Sequence, residues 1–221
     1  MTTRIKVVMP VSSLEFFAPQ VKLREDTGGA AVAISVVALG GGPPSIEDEA
    51  AVLQAAPLVV EEVAKSEGQG FDAVTIDCAL EPGLRAAKEV TRLPVVGAAE
   101  AALALASVCG DTFGWITPNP KGVSATLARI REKGFWPRMA GIRAMDLHVL
   151  ELDQQEVVLA QLTEVGRQLL LDGANVLILG CTGMGHMAEP LTNVVGVPVI
   201  DAGSAAIKLA EAAVAASARK A

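Results

Sequence analysis

The chain has 221 residues, a length that allows one large domain or two small ones. Apolar residues make up 51% of it, but only 3% are aromatic and tyrosine is absent, so the core must be built from Ala, Val, Leu and Ile. A formal net charge of −7, without runs of Lys or Arg, argues against binding to the phosphate backbone of nucleic acid.

Short apolar runs alternate with longer helical stretches along the chain, which is typical of parallel sheets covered by helices. The runs that predict strands are, in chain order, Ile5–Met9, Ala31–Ala38, Ala73–Ile76, Val95–Val96, Gly114–Thr117, Met139–Leu147, Val176–Leu179 and Val199–Ile200. The first four belong to one half of the chain and the last four to a second half.

Four helices with recognisable ends or faces are predicted between and after these strands. They cover Ser45–Lys65, Pro82–Thr91, Asp153–Leu171 and Ala205–Arg219. Ser45 with Asp48 resembles a capping box, and Pro82 fits a first helical turn because its missing N–H is not needed there. Apolar residues at helical spacing mark the third helix, and the aliphatic last helix is expected to pack on a sheet.

The sequence also predicts where the protein works and in what form. It shows no signal-peptide pattern and no apolar run of membrane-spanning length, so we expect a soluble cytoplasmic protein. Its three cysteines are expected to be free thiols rather than a disulfide framework. The aliphatic face of Ala205–Ala216 predicts association into a homo-oligomer, because such a face needs cover.

An internal repeat is the most informative feature of the sequence. Three strand ends recur in the same order in the two halves: Asp72–Cys78 with Asn175–Cys181, Leu93–Ala99 with Val197–Gly203, and Ile5–Pro10 with Phe113–Pro118. We therefore expect an α/β fold of two pseudo-symmetric lobes, each a short parallel sheet flanked by helices, with the active site in the cleft between them. The predicted lobes are residues 1–104 with 205–221, and residues 105–204.

Cys78 and Cys181 occupy equivalent positions in this repeat, at the carboxyl ends of strands, where ligands bind in open parallel sheets. Unpaired backbone N–H groups and a helix dipole would favour thiolate there, so we expect pKa values lowered to about 3.5–7.5. Two such groups on opposite faces of a carbon can racemise it, one removing a proton and the other delivering one. A single free cysteine is more often a core residue. Cys109 has no counterpart and is expected to be a bystander.

Other signals predict neither a metal nor a nucleotide site. The chain has two histidines and no spaced Cys/His cluster, which argues against a metal site. Gly180, Gly183 and Gly185 do not have the spacing of a dinucleotide fingerprint, and no Lys follows them as in a P-loop. We interpret these glycines as easing a tight turn between a strand and a helix.

Four segments together resemble the signatures of hydantoin racemases within the aspartate/glutamate racemase superfamily. They are Gly42-Pro-Pro-Ser-Ile-Glu47, Cys78-Ala-Leu-Glu-Pro-Gly83, Leu93-Pro-Val-Val-Gly97 and Gly180-Cys-Thr-Gly-Met184. The resemblance covers essentially the whole chain. It implies the two-lobed fold, no cofactor, a small cyclic amide such as a 5-substituted hydantoin as substrate, and Cys78 and Cys181 as the proton carriers.

The sequence departs from that family after its first strand, where the usual Asn-Pro-Asn is replaced by Met9-Pro-Val-Ser12. Two amide side chains are therefore missing from one wall of the expected pocket. Serines of this loop could replace them, and backbone N–H groups of the two cysteine turns are candidate donors to an enolate. The residues predicted to bind substrate are Pro10, Ser12, Ser13, Ala79, Leu80, Thr117, Asn119, Thr182, Gly183 and Met184.

Sister activities of the superfamily stay open as alternatives. Its amino-acid racemases usually have Cys-Asn-Thr where this chain has Cys78-Ala-Leu80, which favours a neutral ring over a charged amino acid. Maleate isomerases and arylmalonate decarboxylases use a tyrosine, which this chain lacks. A protein that binds a small ligand without turnover is a further alternative.

Overall fold

The computed structural model describes residues 2–12, 14 and 17–217, and within them the chain forms two four-stranded parallel sheets. The first sheet contains β1 (Thr3–Met9), β2 (Val32–Ala38), β3 (Ala73–Ile76) and β4 (Val95–Gly97). The second contains β5 (Phe113–Thr117), β6 (Met139–Ala144), β7 (Val176–Leu179) and β8 (Val199–Asp201).

The two sheets have the same strand order, β2-β1-β3-β4 and β6-β5-β7-β8. Every pairing within them is parallel; β3 pairs with β1 and β4, and β7 pairs with β5 and β8. β3 and β7 are buried along their whole length, because helices cover both faces of a parallel sheet. The predicted two-lobed α/β fold is confirmed.

Among the described residues, eight α-helices connect and cover these strands. They are α1 (Ala18–Thr27), α2 (Glu49–Ser66), α3 (Leu84–Glu89), α4 (Ala98–Cys109), α5 (Lys121–Glu132), α6 (Gln155–Leu171), α7 (Ala188–Val195) and α8 (Ala202–Ala216). Short 3₁₀ turns at Trp136–Arg138, Val149–Glu151 and Thr182–Met187 complete the order.

Several predicted element ends were wrong for local reasons. Asp48 caps α2 by accepting from Ala51 N at 3.0 Å, whereas the Ser45 hydroxyl donates to Glu47. Pro82 lies in the turn before α3. β6 is shorter than the predicted strand to residue 147, and α8 begins three residues early because Asp201 caps it. The predicted end of that helix at residue 219 lies outside the described residues.

Two alanine-rich helices, α4 and α8, lie between the sheets and pack on each other. α8 follows β8 in the chain but packs mainly on β1, β3 and β4, and α4 follows β4 but also packs on β7 and β8. Small alanine side chains let the helices approach closely, so one apolar cluster joins Ile5 and Val7 of the first sheet to Phe113 and Trp115 of the second. The predicted lobe boundaries and the homo-oligomer stay predictions.

In the part of the chain that the structure describes, no helix combines the length and apolar character needed to cross a membrane.

Candidate active site

Cys78 and Cys181 line the same pocket, which lies at the carboxyl ends of the strands of both sheets. The pocket contains about 600 Å³ of empty space, part of which opens to solvent. Each cysteine follows a central strand of its sheet, β3 or β7, and each is partly exposed as a free thiol. The pseudo-symmetry of the fold therefore brings two equivalent thiols to one cavity.

Close backbone packing shapes the two cysteine turns. A Cβ at Gly180 would lie 1.8 Å from Trp115 Nε1, so only glycine lets β7 end against β5. After Cys78 the chain turns through Glu81 and Gly83, which have φ values of 48° and 71°. Both turns are therefore fixed by residues other than the cysteines themselves.

Burial raises the pKa of Cys78 to about 12 and that of Cys181 to about 12. Backbone hydrogen bonds from Leu80 to Cys78 and from Gly183 to Cys181 lower these pKa values, as expected for strand-to-helix turns. Loss of hydration outweighs these hydrogen bonds, so the expectation of lowered pKa values was wrong.

Charges near the pocket act on the two thiols as well. The carboxylate of Asp77 raises the pKa of both cysteines, and Arg129 lowers that of Cys78. Negative charge on Cys78 raises the pKa of Cys181. The two sulfur atoms are therefore close enough for one charge to oppose the other.

A buried arginine network fixes the wall behind the cysteines. Arg24 of α1 is fully buried; its Nε lies 3.1 Å from Asp77 Oδ2, and its other nitrogens donate to Asp201, Thr182 O and Ser204 Oγ. Burial raises the pKa of Asp77, while the guanidinium of Arg24 acts in the opposite direction. The network joins the segments that follow β3, β7 and β8.

Glu47 links the two halves at the other side of the pocket. One of its oxygens accepts from Asn119 Nδ2 and lies 3.2 Å from His148 Nδ1. The other oxygen accepts from Val149 N at 3.2 Å. The segment before α2 is thereby fastened to two loops of the second half.

The first loop contributes an apolar wall to the pocket. Met9, Val11 and Phe17 form a small buried cluster and all line the pocket. Ile46 and Val149 extend this apolar surface. This part of the pocket is suited to an apolar substituent rather than to a polar group.

Most of the residues predicted to bind substrate line the pocket: Pro10, Ala79, Leu80, Thr117, Asn119, Thr182 and Gly183. The side chains of two of these residues already form hydrogen bonds within the protein. Thr182 Oγ1 donates to Asp77 O, and Asn119 Oδ1 accepts from Lys121 N. Ser12 is exposed and does not line the pocket, and Met184 is buried in the core. Ser13 lies outside the described residues.

Met184 also fails as a backbone donor, because its N–H donates to Cys181 O at 3.0 Å. Sequence reasoning missed Gln20 and Glu47, which line the pocket with polar side chains. Glu47 ends the segment Gly42–Glu47, which resembles the family's sequence, so this resemblance could have indicated Glu47 as a pocket residue. Gln20 lies on α1, a helix that the patterns did not predict.

The described residues that line the pocket include no Lys, Arg or His. Within the same described ranges, no group of three or more His, Cys, Asp or Glu side chains could hold a metal ion. The charged groups on the pocket wall are the carboxylates of Glu47 and Asp77. The ionisable side chains of the described pocket wall are therefore carboxylates and thiols, without a cation.

Comparison with known proteins places the chain in a family. The sequence model of the Asp/Glu/hydantoin racemase family matches residues 5–210. A hydantoin racemase from Rhizobium meliloti is 38% identical over 172 residues, which are 77% of this chain and 71% of the relative. Another, from Pseudomonas sp. (strain NS671), is 35% identical over 94% of this chain and 84% of its own. An allantoin racemase from Klebsiella pneumoniae superposes with a TM-score of 0.93 at 33% identity, covering 97% of this chain and 89% of that one.

Proposed function

The chain belongs to the Asp/Glu/hydantoin racemase family, and from this premise we propose that it interconverts the enantiomers of a small neutral cyclic amide, such as a 5-substituted hydantoin. The protein is an isomerase of the racemase type. We assign the proton transfer to Cys78 and Cys181. The observation that carries this assignment is that the two thiols, from equivalent strand ends, line one pocket.

The proposed reaction needs one thiolate and one thiol. The thiolate removes the proton from the ring carbon beside a carbonyl, and the electron pair of that C–H bond moves into the carbonyl to form an enolate. The opposite thiol then gives its proton to the other face of the carbon. The two cysteines end with exchanged protonation states, ready for the opposite enantiomer.

The electrostatics of the pair suit this exchange. Because charge on Cys78 raises the pKa of Cys181, ionisation of one thiol favours the neutral form of the other. The amides of Leu80 and Gly183 each lower the pKa of the cysteine that they face. Each cysteine therefore has its own backbone N–H donor, which stabilises the sulfur while it is a thiolate.

The pocket supports a neutral substrate over a carboxylate. A bound carboxylate needs a cation or several free donors, and no Lys or Arg stands among the described lining residues. The nearby guanidinium of Arg24 is already shared by Asp77 and Asp201. Glu47 and Asp77 would repel an anion.

Solvent deuterium exchange in single-cysteine variants tests the assignment. We expect Cys78→Ser and Cys181→Ser each to lose racemisation of 5-benzylhydantoin while still exchanging the ring proton of one enantiomer, with opposite preferences. Cys109→Ser is the matched control, because Cys109 is exposed and outside the pocket, and it should behave like the unaltered protein. Unaltered exchange of both enantiomers in either pocket variant would refute the paired bases.

Circular dichroism on enantiopure substrate measures turnover directly. We expect the optical signal of 5-benzylhydantoin to decay with the unaltered protein, and that of aspartate or glutamate to persist. Thermal stabilisation by the hydantoin without any decay would overturn the racemase proposal in favour of a binding protein. Decay of the optical signal with aspartate or glutamate, but not with the hydantoin, would overturn the proposal of a neutral substrate.

A further inference from the structure

The turn after Cys78 is held from behind by a cation of the other half of the chain. Arg129 lies on α5, and its side chain is 16% exposed. Its Nε donates to Leu80 O at 2.6 Å, while its Nη1 donates to Glu49 Oε1 at 2.6 Å and to Ala125 O at 3.0 Å. Arg129 lines a separate groove and not the cysteine pocket, so it contacts the turn from the side away from a substrate.

The carbonyl that Arg129 contacts belongs to the peptide whose N–H faces Cys78. Leu80 O and Glu81 N are the two ends of one planar peptide unit. Glu81 N donates to Cys78 O at 3.0 Å, and it also lowers the pKa of the Cys78 thiol. A cation on the carbonyl end polarises such a unit and strengthens the N–H at its other end as a donor. The guanidinium therefore acts on the sulfur through the peptide as well as through space.

The side chain of Glu81 fixes the same peptide. Glu81 has a φ of 48°, a left-handed conformation that residues other than glycine keep only where surrounding contacts hold it. Its carboxylate makes such contacts, since Oε1 accepts from Glu100 N at 2.7 Å and Oε2 lies 2.8 Å from Lys133 Nζ. Arg129 and Lys133 both lie at the carboxyl end of α5, so one helix end holds the turn at two points.

The equivalent turn of the second half is held by a titratable side chain instead. Gly183 occupies there the position of Leu80, and its backbone forms a hydrogen bond with His186. Burial lowers the pKa of His186, so its ring is neutral at about pH 8, whereas Arg129 stays charged. The two halves therefore share an anchoring point and differ in the charge that is placed on it.

The charges around the two thiols differ in the same sense. Asp77 raises the pKa of both cysteines, and Arg129 opposes it at Cys78. At Cys181, the charges of Glu47 and of the Cys78 thiolate raise the pKa further. Arg129 thus favours a negative charge on Cys78 over one on Cys181.

We propose that Arg129 is a positioning residue of the reaction, which holds the Leu80–Glu81 peptide against Cys78 and thereby stabilises the thiolate of Cys78 in preference to that of Cys181. The inference rests on the proposed function for its part in catalysis. Arg129 moves no proton and touches no substrate. It stabilises the sulfur that starts one direction of the reaction as a thiolate and ends the other direction as one.

Alkylation of each cysteine by iodoacetamide tests this role without substrate. Peptide mass mapping gives separate rates for Cys78 and Cys181 in the same sample. Well below its pKa, a thiol reacts in proportion to its thiolate fraction, so a raised pKa appears as a slower rate. Each rate is compared with that of the same cysteine in the unaltered protein, which cancels the difference in access between the two sites.

Arg129→Met removes the cation and keeps an apolar stem of similar length. Arg131→Met is the matched control, because Arg131 lies on the same helix, is exposed and stacks on Trp136. At about pH 9, we expect alkylation of Cys78 to fall about 3- to 10-fold in Arg129→Met while that of Cys181 does not fall, and we expect both rates to persist in Arg131→Met. Circular dichroism during thermal melting confirms that each variant is folded under assay conditions.

Three results would overturn the positioning role. The first is an unchanged Cys78 rate in folded Arg129→Met. The second is a rise of both rates, which is expected if the arginine only braces the fold, because a loosened turn exposes both thiols to the reagent. The third is an equal fall of both rates, which would remove the preference for Cys78 over Cys181.

Proton exchange separates this inference from the function on which it rests. In Cys181→Ser, Cys78 is the remaining base, and adding Arg129→Met should slow deuterium exchange of 5-benzylhydantoin about 3- to 10-fold. In Cys78→Ser, the same addition should have the smaller effect, and equal effects in both backgrounds would overturn the preference for Cys78. If neither single-cysteine variant exchanges the ring proton, the proposed function fails, and the alkylation rates still decide the role of Arg129.

Discussion

Arg24→Met removes the cation that two buried carboxylates share, and we expect it to be among the most destabilising single substitutions in this chain. The side chains of Arg24 and Asp77 are 0% and 1% exposed, and that of Asp201 is 7% exposed. Methionine fills similar space but supplies no donor. The carboxylates then stay buried without their partner, and the carbonyl of Thr182 loses its 2.9 Å hydrogen bond.

Breaking a buried ion pair from one side costs about 3–5 kcal/mol. An unfolding entropy of about 2.1 cal/mol/K per residue over 221 residues is about 0.46 kcal/mol/K. The melting temperature should therefore fall by about 7–11 °C. Circular dichroism at 222 nm during a thermal scan measures the change.

Lys22→Met on the same helix is the control, because the side chain of Lys22 is 76% exposed and its pair with Asp26 lies on the surface. Its melting temperature should stay within about 1 °C of the unaltered protein. A loss of less than about 2 °C in Arg24→Met would refute the reasoning, since the guanidinium would then contribute no more than a surface charge.

The pH dependence of the loss gives a second check. In Arg24→Met, burial still raises the pKa of Asp77 but the opposing guanidinium is gone. The folded state then binds a proton more readily than the unfolded state, so folding stability is lost as pH rises through the folded pKa. The deficit relative to the unaltered protein should therefore shrink as the pH falls from about 7 toward the ordinary pKa of aspartate.

Two further predictions follow from the cysteine pKa values. Because burial raises the pKa of Cys78 and Cys181 to about 12, kcat/KM for hydantoin racemisation should rise about tenfold per pH unit from about pH 6 to about pH 8, a range in which the imide N–H of the hydantoin stays protonated. A plateau within this range would contradict the raised pKa values. Iodoacetamide should modify exposed Cys109 well before the pocket pair near pH 7.5, as read by peptide mass mapping. Modification of Cys78 or Cys181 first would show that a thiolate is already present.

The repeat in the sequence predicts the core of this site because it depends on local patterns. An apolar run that ends in a cysteine places that cysteine at the carboxyl edge of a parallel strand, and the same run occurs twice. The two sheets have the same strand order, and the carboxyl ends of their central strands lie at one pocket. Strand pattern and topology were therefore sufficient to place Cys78 and Cys181 at one pocket.

The polar wall of the pocket depends on contacts between distant segments, which no local pattern reports. Arg24 and Asp201 are 177 positions apart, and Glu47 meets Asn119 across 72. The pKa values of the thiols were mispredicted for a related reason. The turn geometry that lowers them is local, whereas the burial that raises them is a property of the assembled pocket.

The placement of α4 and α8 between the sheets bears on how the chain unfolds. A fragment that stops before α8 would leave β1, β3 and β4 without a helix that packs on them. A fragment without α4 would expose part of β7 and β8 to solvent. Neither half retains a closed interior alone. Although the architecture is bipartite, the chain should melt in one cooperative transition, with equal calorimetric and van't Hoff enthalpies.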